Sequence, residues 1–493
     1  MDIEIELKLL ATAAAGQDIE IWLANNFPTA SIKAPSQLIN YYYDTPDRRL
    51  RQHDMGLRIR DCAQVFEQTI KTKGTTVGGV HQRPEYNVTL PQPVLDLSLF
   101  DTQIWPSGLD VSSLQNDVEV MFITTFTRQV FLVELVDGSQ VEIVFDLGQI
   151  TTSLSDTTDS AAICEIELEL KHGSATALFE LAKQICLITP VRFGNLSKAA
   201  RGYHLVDGRP DEPKKPDNML PIRGLHNIEE TFSFTLEQGL GLWQSATARY
   251  FETLELTALS DMLSAIKLLN YTLVIYQAWL NEDVLQPIQA HLVTCHQEWQ
   301  WLETALAYNA LCIRGNPCYA RLSASELDIL ASEVIDLQAS ERVLAQLGSS
   351  GDILLQLEVS QLIIDKTWWQ STHSVELPLV SQVKAQFQGY LDAMDLIISD
   401  SQAPFDNQLE SLDLLLTLQL LWGDLLTKNN TLAVMNWWQR FAGTDDLGQL
   451  HTLYLRLNGS ALNNNDPLKL WCANQFTQLV QKNVQAMRYI LAN

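Results

Sequence analysis

Apolar and polar residues alternate along several short segments in the first 205 residues of the chain. The opening run, MDIEIELKLL, alternates Ile and Leu with Glu4, Glu6 and Lys8. The same pattern recurs in GLRIRD, VFEQTIKTKG, RPEYNVTL, MFITTFTRQVFLVEL, SQVEIVFDLGQI and AAICEIELELK. A period of two is typical of strands. Since only GQDIEIWLANNF and ATALFELAKQICLI show helical spacing here, we predict a mostly antiparallel sheet or barrel with a few helices outside it.

The periodicity changes after DGRPDEPKKPDNMLPIRG, a segment rich in Pro, Lys and Asp that reads as a linker. Beyond it, apolar residues recur at spacings of three and four, which predicts an all-helical bundle. The most apolar stretch, Leu412 to Leu426, is too short to span a bilayer and is predicted to be a buried helix. The predicted organisation is therefore an α+β chain with a strand-rich domain at 1–205, a linker at 206–223 and a helical domain at 224–493.

Composition narrows the function. The 493 residues carry a net charge of -26, which disfavours a nucleic-acid partner because phosphate backbones attract basic surfaces. Residues 1–223 hold 20 Lys and Arg against 30 Asp and Glu, while the rest holds 13 against 29. The seven cysteines are scattered, and the N-terminus has no signal-peptide pattern. We expect a cytoplasmic protein with reduced thiols and no membrane partner.

Like charges recur on single strand faces of the first domain. Beside Glu4 and Glu6, they comprise Arg58 and Arg60, Lys71 and Lys73, and Glu165, Glu167 and Glu169. One such strand alone would more simply be a solvated face of an antiparallel sheet. Four strands suggest a charged cavity, in which unpaired charges would be very costly. Phosphate would compensate the Arg and Lys residues, and carboxylates could hold Mg²⁺ or Mn²⁺ bridging to that phosphate.

At this point the sequence resembles the CYTH superfamily, the triphosphate tunnel metalloenzymes. The ExExK signature is present at Glu4, Glu6 and Lys8. The segments YYYDTPDRRL, GLRIR, TIKTKG, RPEYN, VEIVFDLG and SKAARGY resemble further family blocks and follow in family order. The resemblance covers nearly all of residues 1–204 and implies an antiparallel eight-stranded β-barrel that encloses a tunnel, with flanking helices.

The resemblance also implies roles for individual residues. The metal ligands would be Glu4, Glu6, Glu165 and Glu167, with Glu169 as a further candidate. The phosphate-binding residues would be Lys8, Arg58, Arg60, Lys71, Lys73, Arg128 and Lys198. Arg83 and Arg201 would be either further phosphate contacts or surface residues paired with neighbouring acids. Glu85 and Asp146 would lie near a second metal or the attacking water, which places them with Glu4, Glu6 and Lys8 among the catalytic candidates and makes Asp146 a candidate metal ligand.

The implied activity is hydrolysis of inorganic triphosphate to pyrophosphate and phosphate with one or two Mg²⁺ or Mn²⁺ ions. An adenylate cyclase, a thiamine or nucleoside triphosphatase and a non-catalytic phosphate-chain binder remain alternatives. The helical half resembles a CHAD domain in placement and length, an arrangement like that of bacterial inorganic triphosphatases. CHAD domains are thought of as polyphosphate binders, but a surface as acidic as this one would repel polyphosphate, so we expect a structural or partner-docking role.

Overall fold

The computed structural model divides the chain into two compact units. One comprises Met1–Pro213 with Gly348–Asp365, and the other comprises Lys214–Leu347 with Lys366–Asn493. The structure describes residues 2–152, 159–208, 219–314, 316, 318–337, 340–368, 378–399, 405–426, 437, 440, 445–459 and 467–492. The predicted domain limits remain a prediction. The assignment of 348–365 to the first unit is not foreseen by the change in periodicity.

The first unit is built around a closed antiparallel barrel of eight strands. In chain order these are β1 (Asp2–Ala11), β2 (Ser31–Asp44), β3 (Gly56–Cys62), β4 (Val65–Lys71), β6 (Val80–Leu90), β7 (Glu119–Glu134), β8 (Gln140–Thr151) and β9 (Ser160–His172). Neighbours follow the order β1-β9-β8-β7-β2-β3-β4-β6, and β6 pairs with β1 to close the barrel. The short strands β5 (Thr75–Val77) and β10 (Val191–Phe193) add to β6 and β1. The predicted eight-stranded barrel is thus confirmed.

The barrel buries its apolar side chains on the outside. On β1, Leu7 and Leu9 are fully buried in a cluster that includes Ile19 and Leu23 of α1 (Ala15–Asn26) and Ile185 of α4 (Thr176–Ile188). Strand alternation then directs Glu4, Glu6 and Lys8 to the opposite, interior face. Because the helices cover the exterior, the barrel does not need an apolar interior and can keep a charged one.

Strand β2 was missed by the alternation pattern. Its first half is polar, contains Pro35 and is exposed, and its pairing with β7 shifts register between Lys33 and Ser36. Alternation between buried and partly buried residues begins only at Leu38. The exposed, irregular first half of β2 therefore shows little alternation between apolar and polar residues.

Helix α5 (Lys198–Asp207) packs against β7, β8 and β9. The Ser197 side chain caps its first turn by accepting from the Ala200 backbone N–H at 3.1 Å. Tyr203 donates to the buried carboxylate of Asp44 at 2.8 Å. The same carboxylate accepts from the backbone N–H of Leu50 at 2.9 Å, which ties α5 to α2 (Arg49–Gln52). This packing fixes the helix whose first residue, Lys198, enters the barrel.

The second unit is helical in all its described regular elements, as predicted. Its described helices are α6 (Ile228–Thr253), α7 (Ser260–Tyr276), α8 (Glu282–Leu311), α9 (Ala324–Leu337), α10 (Ser340–Leu347), α12 (Leu379–Ser399), α13 (Phe405–Leu426), α14 (Asp446–Gly459) and α15 (Pro467–Ala492). Two further helices, α3 (Val111–Asp117) and α11 (Ser350–Asp365), belong to the first unit. The predicted buried helix corresponds to most of α13, which buries Leu412, Leu415 and Trp422. By length and composition alone, Leu256–Trp279 could cross a membrane, but 67% of its apolar window is buried, as in a core helix.

Gly202 lies where α5 contacts β7, and a Cβ added there would meet the Phe122 ring at 2.2 Å. Gly202→Ala should therefore destabilise the barrel unit by about 1–3 kcal/mol through overpacking. Urea unfolding measures this loss. Gly241→Ala is the matched helical control, since a Cβ at Gly241 meets no atom within 4 Å. Equal midpoints for the two variants would contradict the packing of α5 against Phe122.

Glu303 in the second unit forms ion pairs with Lys267 at 2.6 Å and with His296 at 3.5 Å. Burial alone would raise the pKa of Glu303, but Lys267 and His296 outweigh it and hold the pKa well below its ordinary value of 4.5. A lowered folded-state pKa stabilises the protein above pH 4.5, and this contribution is lost as the pH falls.

Glu303→Gln should consequently lower the free energy of unfolding by about 1–3 kcal/mol at pH 7, because the ammonium of Lys267 loses its charged partner. The deficit should shrink at pH 3, because the Glu303 carboxylate of the unfolded wild type takes up a proton there and the folded state loses part of its advantage. Urea titrations at both pH values measure the change, with Glu298→Gln, an exposed acid on the same helix, as the control. A deficit that is unchanged between pH 7 and pH 3 would contradict the lowered pKa.

Candidate active site

The barrel of the first unit encloses a cavity of about 370 Å³ that is lined mainly by charged side chains. Eight of the lining residues are basic, namely Lys8, Arg58, Arg60, Lys71, Arg83, Arg128, Lys171 and Lys198. Seven are acidic, namely Glu4, Glu6, Glu67, Glu85, Glu142, Glu167 and Glu169. Charges of both signs in one enclosed space favour a ligand that itself combines negative and positive charge.

The strand register explains why these residues meet. On β1, Glu4 lies opposite Arg83 of β6, while Glu6 lies between His81 of β6 and Glu169 of β9. Lys8 lies opposite Glu167 of β9 in the same ladder. Directly opposed residues share one face of a sheet. The ExExK signature thus occupies the seam where β6 and β9 meet β1.

Three arginines concentrate positive charge in one part of the cavity. Arg60 donates to the side-chain oxygen of Asn40 at 3.0 Å. Burial, together with the like charges of Arg58 and Arg128, lowers the pKa of Arg60 to about 10. Arg58 is paired with Glu85 at 3.3 Å, and Arg128 with Asp146 at 2.6 Å. We call Arg58, Arg60 and Arg128 the basic pole. The depressed pKa of Arg60 indicates that additional negative charge would be favourable beside this arginine.

Carboxylates crowd together in another part. Burial and the neighbouring carboxylates Glu167 and Glu4 raise the pKa of Glu6 to about 7 against the opposing effect of Lys8. The ammonium of Lys8 lies 4.0 Å from the Glu6 carboxylate. Burial also raises the pKa of Glu169, although Lys171 lies 2.6 Å away. We call Glu4, Glu6 and Glu169 the acidic pole.

The acidic pole has the chemistry of a hard divalent cation site. Its donors are all carboxylate oxygens, which are the ligands that Mg²⁺ and Mn²⁺ prefer. Burial raises the pKa values of Glu6 and Glu169 despite Lys8 and Lys171 nearby, and a bound cation would stabilise the ionised form of both carboxylates. The residues present therefore fit the implied metal.

Asp146 and Glu165, behind the cavity wall, and Glu167, at its surface, bring ligand oxygens within 4.8 Å of one another. Lys198 contacts all three, at 2.7 Å from Asp146 and 3.1 Å from Glu167, with Glu165 the closest. Burial alone would raise the pKa of Glu167, but Lys198, Lys8 and Arg128 hold it well below its ordinary value. These acids are already neutralised by protein cations. We therefore call Asp146, Glu165 and Glu167 the inner triad and treat it as a support for the cations, not as an open metal site.

The structure places four of the predicted site residues away from the cavity lining, and one of them, Arg201, pairs with a neighbouring acid, which is one of its two predicted roles. Asp146 and Glu165 are fully buried and do not line the cavity, because Arg128 and Lys198 stand in front of them. Arg201 also lies behind the wall, where it donates to Glu165 at 2.5 Å and to the Ala162 carbonyl at 3.1 Å.

The fourth is Lys73, which the alternation from Lys71 places on the tunnel wall. Strand β4 ends at Lys71, so the alternation no longer applies two residues later. The Lys73 side chain is 80% exposed and lies 3.9 Å from Asp54, outside the cavity. The other predicted phosphate-binding residues all line the cavity, including Arg83, whose guanidinium donates to the backbone carbonyls of Thr72 and Asp54 at 3.1 and 2.9 Å.

Several lining residues were not predicted from the sequence. They are Glu67, Thr69, His81, Asn87, Glu142, Lys171 and Ser197. Strand alternation could have identified most of them. His81 and Asn87, for example, lie on the same face of β6 as Arg83 and Glu85, which were predicted. His81 lies in the cavity lining, and burial with nearby Lys8 and Arg83 lowers its pKa to about 4.

Residues 2–203 match the family model of the CYTH domain. An inorganic triphosphatase from Haemophilus influenzae is 36% identical over 205 residues, which cover 41% of this chain and 54% of that protein. The chain thus spans about half the length of this curated relative. The match confirms the CYTH resemblance of the N-terminal part, whereas the CHAD resemblance of the helical part remains a prediction.

The solved structures that match include a protein from Hippeastrum described as an adenylyl cyclase with a dominant triphosphatase activity. It is 20% identical, with 45% of this chain and 99% of that chain covered and a TM-score of 0.30. A solved inorganic triphosphatase is 19% identical, with 36% and 80% covered and a TM-score of 0.16. Because both TM-scores are low, the family match rests on the domain model and the curated relative.

Lys71 and Lys73 form a matched pair for testing the cavity wall, because only Lys71 lines it. Lys71→Ala should weaken binding of inorganic tripolyphosphate by about tenfold, the cost of one charge-assisted hydrogen bond. Lys73→Ala should leave the affinity within about twofold, as expected for an exposed charge. Calorimetric titration with tripolyphosphate measures both. Equal losses in the two variants would contradict the end of β4 at Lys71.

Proposed function

We propose that the tunnel of residues 2–203 hydrolyses inorganic tripolyphosphate to pyrophosphate and orthophosphate with the help of a bound divalent cation. The observation that supports this most strongly is that the basic pole and the acidic pole line the same cavity. The pKa of Arg60 is depressed at one pole, and the pKa of Glu6 is raised at the other. A metal-bound phosphate chain would relieve both, because its oxygens face the arginines while its cation faces the carboxylates.

The basic residues would bind and align the phosphate chain. Arg58, Arg60 and Arg128 offer planar guanidinium donors, which match phosphate oxygens in pairs. Lys8 on β1 and Lys198 on α5 add two ammonium groups to the lining. Such a set neutralises the equatorial oxygens and holds the terminal phosphorus for in-line attack by water. No covalent intermediate on the protein is required.

The acidic pole would hold the cation. Glu4, Glu6 and Glu169 supply the carboxylates, and Glu167 lies next to them at the cavity surface. When bound, a divalent cation polarises phosphoryl oxygens and offsets the developing negative charge. The carboxylate donors suit Mg²⁺ and Mn²⁺ equally, so the proposal covers both.

Glu85 and Asp146 would act on other residues, not as the base that activates water. Burial alone would raise the pKa of Glu85, but Lys71 and Arg58 outweigh it and lower the pKa. Lys198 and Arg128 likewise lower the pKa of Asp146 against the effect of burial. A carboxylate stabilised in its ionised form is a weak proton acceptor. Glu85 would therefore orient Arg58 and Lys71, and Asp146 would orient Arg128 and Lys198.

The lining favours an inorganic substrate over a nucleotide or a thiamine ester. A nucleobase needs an accessible aromatic or apolar surface to stack on. Apart from His81, the aromatic residues in the described lining are Tyr42 and Phe126, whose exposures are 6% and 1%. A pure anion binder would have no use for the acidic pole. The name of the curated relative agrees with an inorganic triphosphatase.

We also propose a cytoplasmic location for the protein and a structural or partner-docking role for the helical unit. All seven cysteines are free thiols, which agrees with a reducing compartment. The excess of acidic residues in the helical half agrees with a role other than phosphate-chain binding.

The proposal is tested by phosphate release from tripolyphosphate, with ATP and thiamine triphosphate in parallel, in Mg²⁺, Mn²⁺ or chelator. Glu4→Gln combined with Glu6→Gln should lower the metal-dependent rate at least about 100-fold, because it removes the charge that holds the cation. Glu180→Gln, which changes an exposed acid on α4, should leave the rate unchanged. Tripolyphosphate should be the best of the three substrates.

Two results would contradict the proposal. Tight tripolyphosphate binding without release in either metal would indicate a phosphate-chain binder. Formation of cyclic AMP from ATP as the faster reaction would indicate a cyclase.

A further inference from the structure

The first unit contains one helix that comes from the helical half of the chain. Ile353 and Leu357 of α11 are 4% and 0% exposed and belong to the same apolar cluster as Leu178 and Ile185 of α4. The segments before and after this helix belong to the second unit. The core that covers the outside of the barrel is therefore incomplete without residues beyond position 347.

Polar contacts fix the rotation of α11 on α4. Thr176 donates to the Asp365 carboxylate at 3.1 Å, and Lys183 donates to the Gln361 side-chain oxygen at 2.7 Å. The amide of Gln361 in turn donates to Asp365 at 3.0 Å. Apolar burial holds the helix in place, and these bonds select which face it presents.

That face contacts the turn between β5 and β6. Gly78 and Gly79 adopt positive φ angles of +55° and +77°. A Cβ on Gly78 would lie 2.8 Å from the backbone oxygen of Ser360 on α11, and a Cβ on Gly79 would lie 2.6 Å from the Phe193 ring on β10. The turn is therefore held closely between α11 and β10.

This turn stands at the end of the seam that closes the barrel. The first residue of β6, Val80, pairs with Leu7 of β1, and the ladder continues to the pairs Glu6 with His81 and Glu4 with Arg83. Phe193 pairs with Leu9 further along the same strand. Any outward movement of the turn would shift β6 relative to β1. It would move His81 and Arg83 away from Glu6 and Glu4 inside the cavity.

We propose that α11 is a clamp on the β1–β6 seam and acts as a positioning element for the candidate active site. Its effect on catalysis rests on the proposed triphosphatase function, whereas its effect on the seam does not. Displacement of catalytic groups by about 1 Å costs roughly 100-fold in rate. A helix contributed by the second half of the chain would thus set how well the tunnel is formed.

The test uses the full-length protein and two kinds of variant. Gly78→Ala introduces a methyl group against Ser360 and should loosen the turn. Gly138→Ala is its matched control, because Gly138 also has a positive φ of +83° in a barrel hairpin, yet a Cβ there meets no atom within 4 Å. Ile353→Ala combined with Leu357→Ala removes apolar side chains that hold α11 in the core of the first unit. This double variant changes no residue of the barrel strands.

Two measurements are made on each variant: amide hydrogen exchange, and the kcat and KM for tripolyphosphate. In Gly78→Ala and in the α11 double variant, amides of residues 3–7, 80–83 and 85 should exchange about tenfold faster than in Gly138→Ala, while the β2–β7 ladder stays unchanged. The kcat should fall about tenfold in the same two variants with a smaller change in KM.

Faster seam exchange in a protein whose wild type releases no phosphate would support the clamp and overturn only the triphosphatase proposal. Equal seam exchange in the variants and the control would overturn the clamp. Loss of protection spread evenly over all barrel strands would also overturn it, because α11 would then serve general stability and not the seam.

Discussion

Charge enclosed in a barrel must be compensated within that barrel, and this constraint determines the design of the first unit. An unpaired ion in a low-dielectric interior costs several kcal/mol, so each interior Lys or Arg needs a carboxylate or a ligand anion nearby. Part of the compensation is internal. The inner triad binds Lys198, Arg128 and Lys8 so completely that the pKa of Glu167 is held well below its ordinary value.

The compensation is incomplete in two places, and these are the places where chemistry is proposed. Arg60 hydrogen-bonds to the neutral side chain of Asn40 while two other arginines lower its pKa. Glu6 lies among carboxylates that raise its pKa. Residual charge of both signs in one cavity is a preorganised electrostatic environment, which costs no reorganisation when a complementary ligand binds. The rest of the barrel supports this arrangement: apolar helices cover the outside, and α5 delivers Lys198 from one end.

The alternation of residues along the strands predicts much of the first unit's fold and eight of the residues that line the cavity, whereas Arg83, Glu85, Arg128 and Lys198 were predicted from the family resemblance. Alternation succeeds for Glu4, Glu6 and Lys8 because their strand is regular and its other face is apolar. It fails at Lys73, because the strand has already ended at Lys71. Alternation also cannot tell a side chain that lines the cavity from one held behind another, so Asp146 is correctly placed on an inward face but lies behind Arg128.

Tertiary packing accounts for what the sequence does not reveal. Helix α11 is as apolar as its neighbours in the second unit, and nothing in its pattern indicates that it packs on α4. Strand β2 is hidden by its polar, irregular first half. Gly202 belongs to the SKAARGY block, but the reason for a glycine there appears only when Phe122 is found against it. Contacts of this kind join residues far apart in the sequence and leave no local periodic pattern, so the sequence pattern does not predict them.

The most direct test of the account is a crystal structure of the protein with Mn²⁺ and tripolyphosphate, in which the anomalous signal of manganese locates the cation. The charge separation predicts manganese bound by Glu4, Glu6 and Glu169, with phosphate oxygens contacting Arg58, Arg60 and Arg128. Manganese within the inner triad of Asp146, Glu165 and Glu167, displacing Lys198, would contradict the assignment of the two poles. Tripolyphosphate bound outside the barrel would contradict the tunnel as the active site.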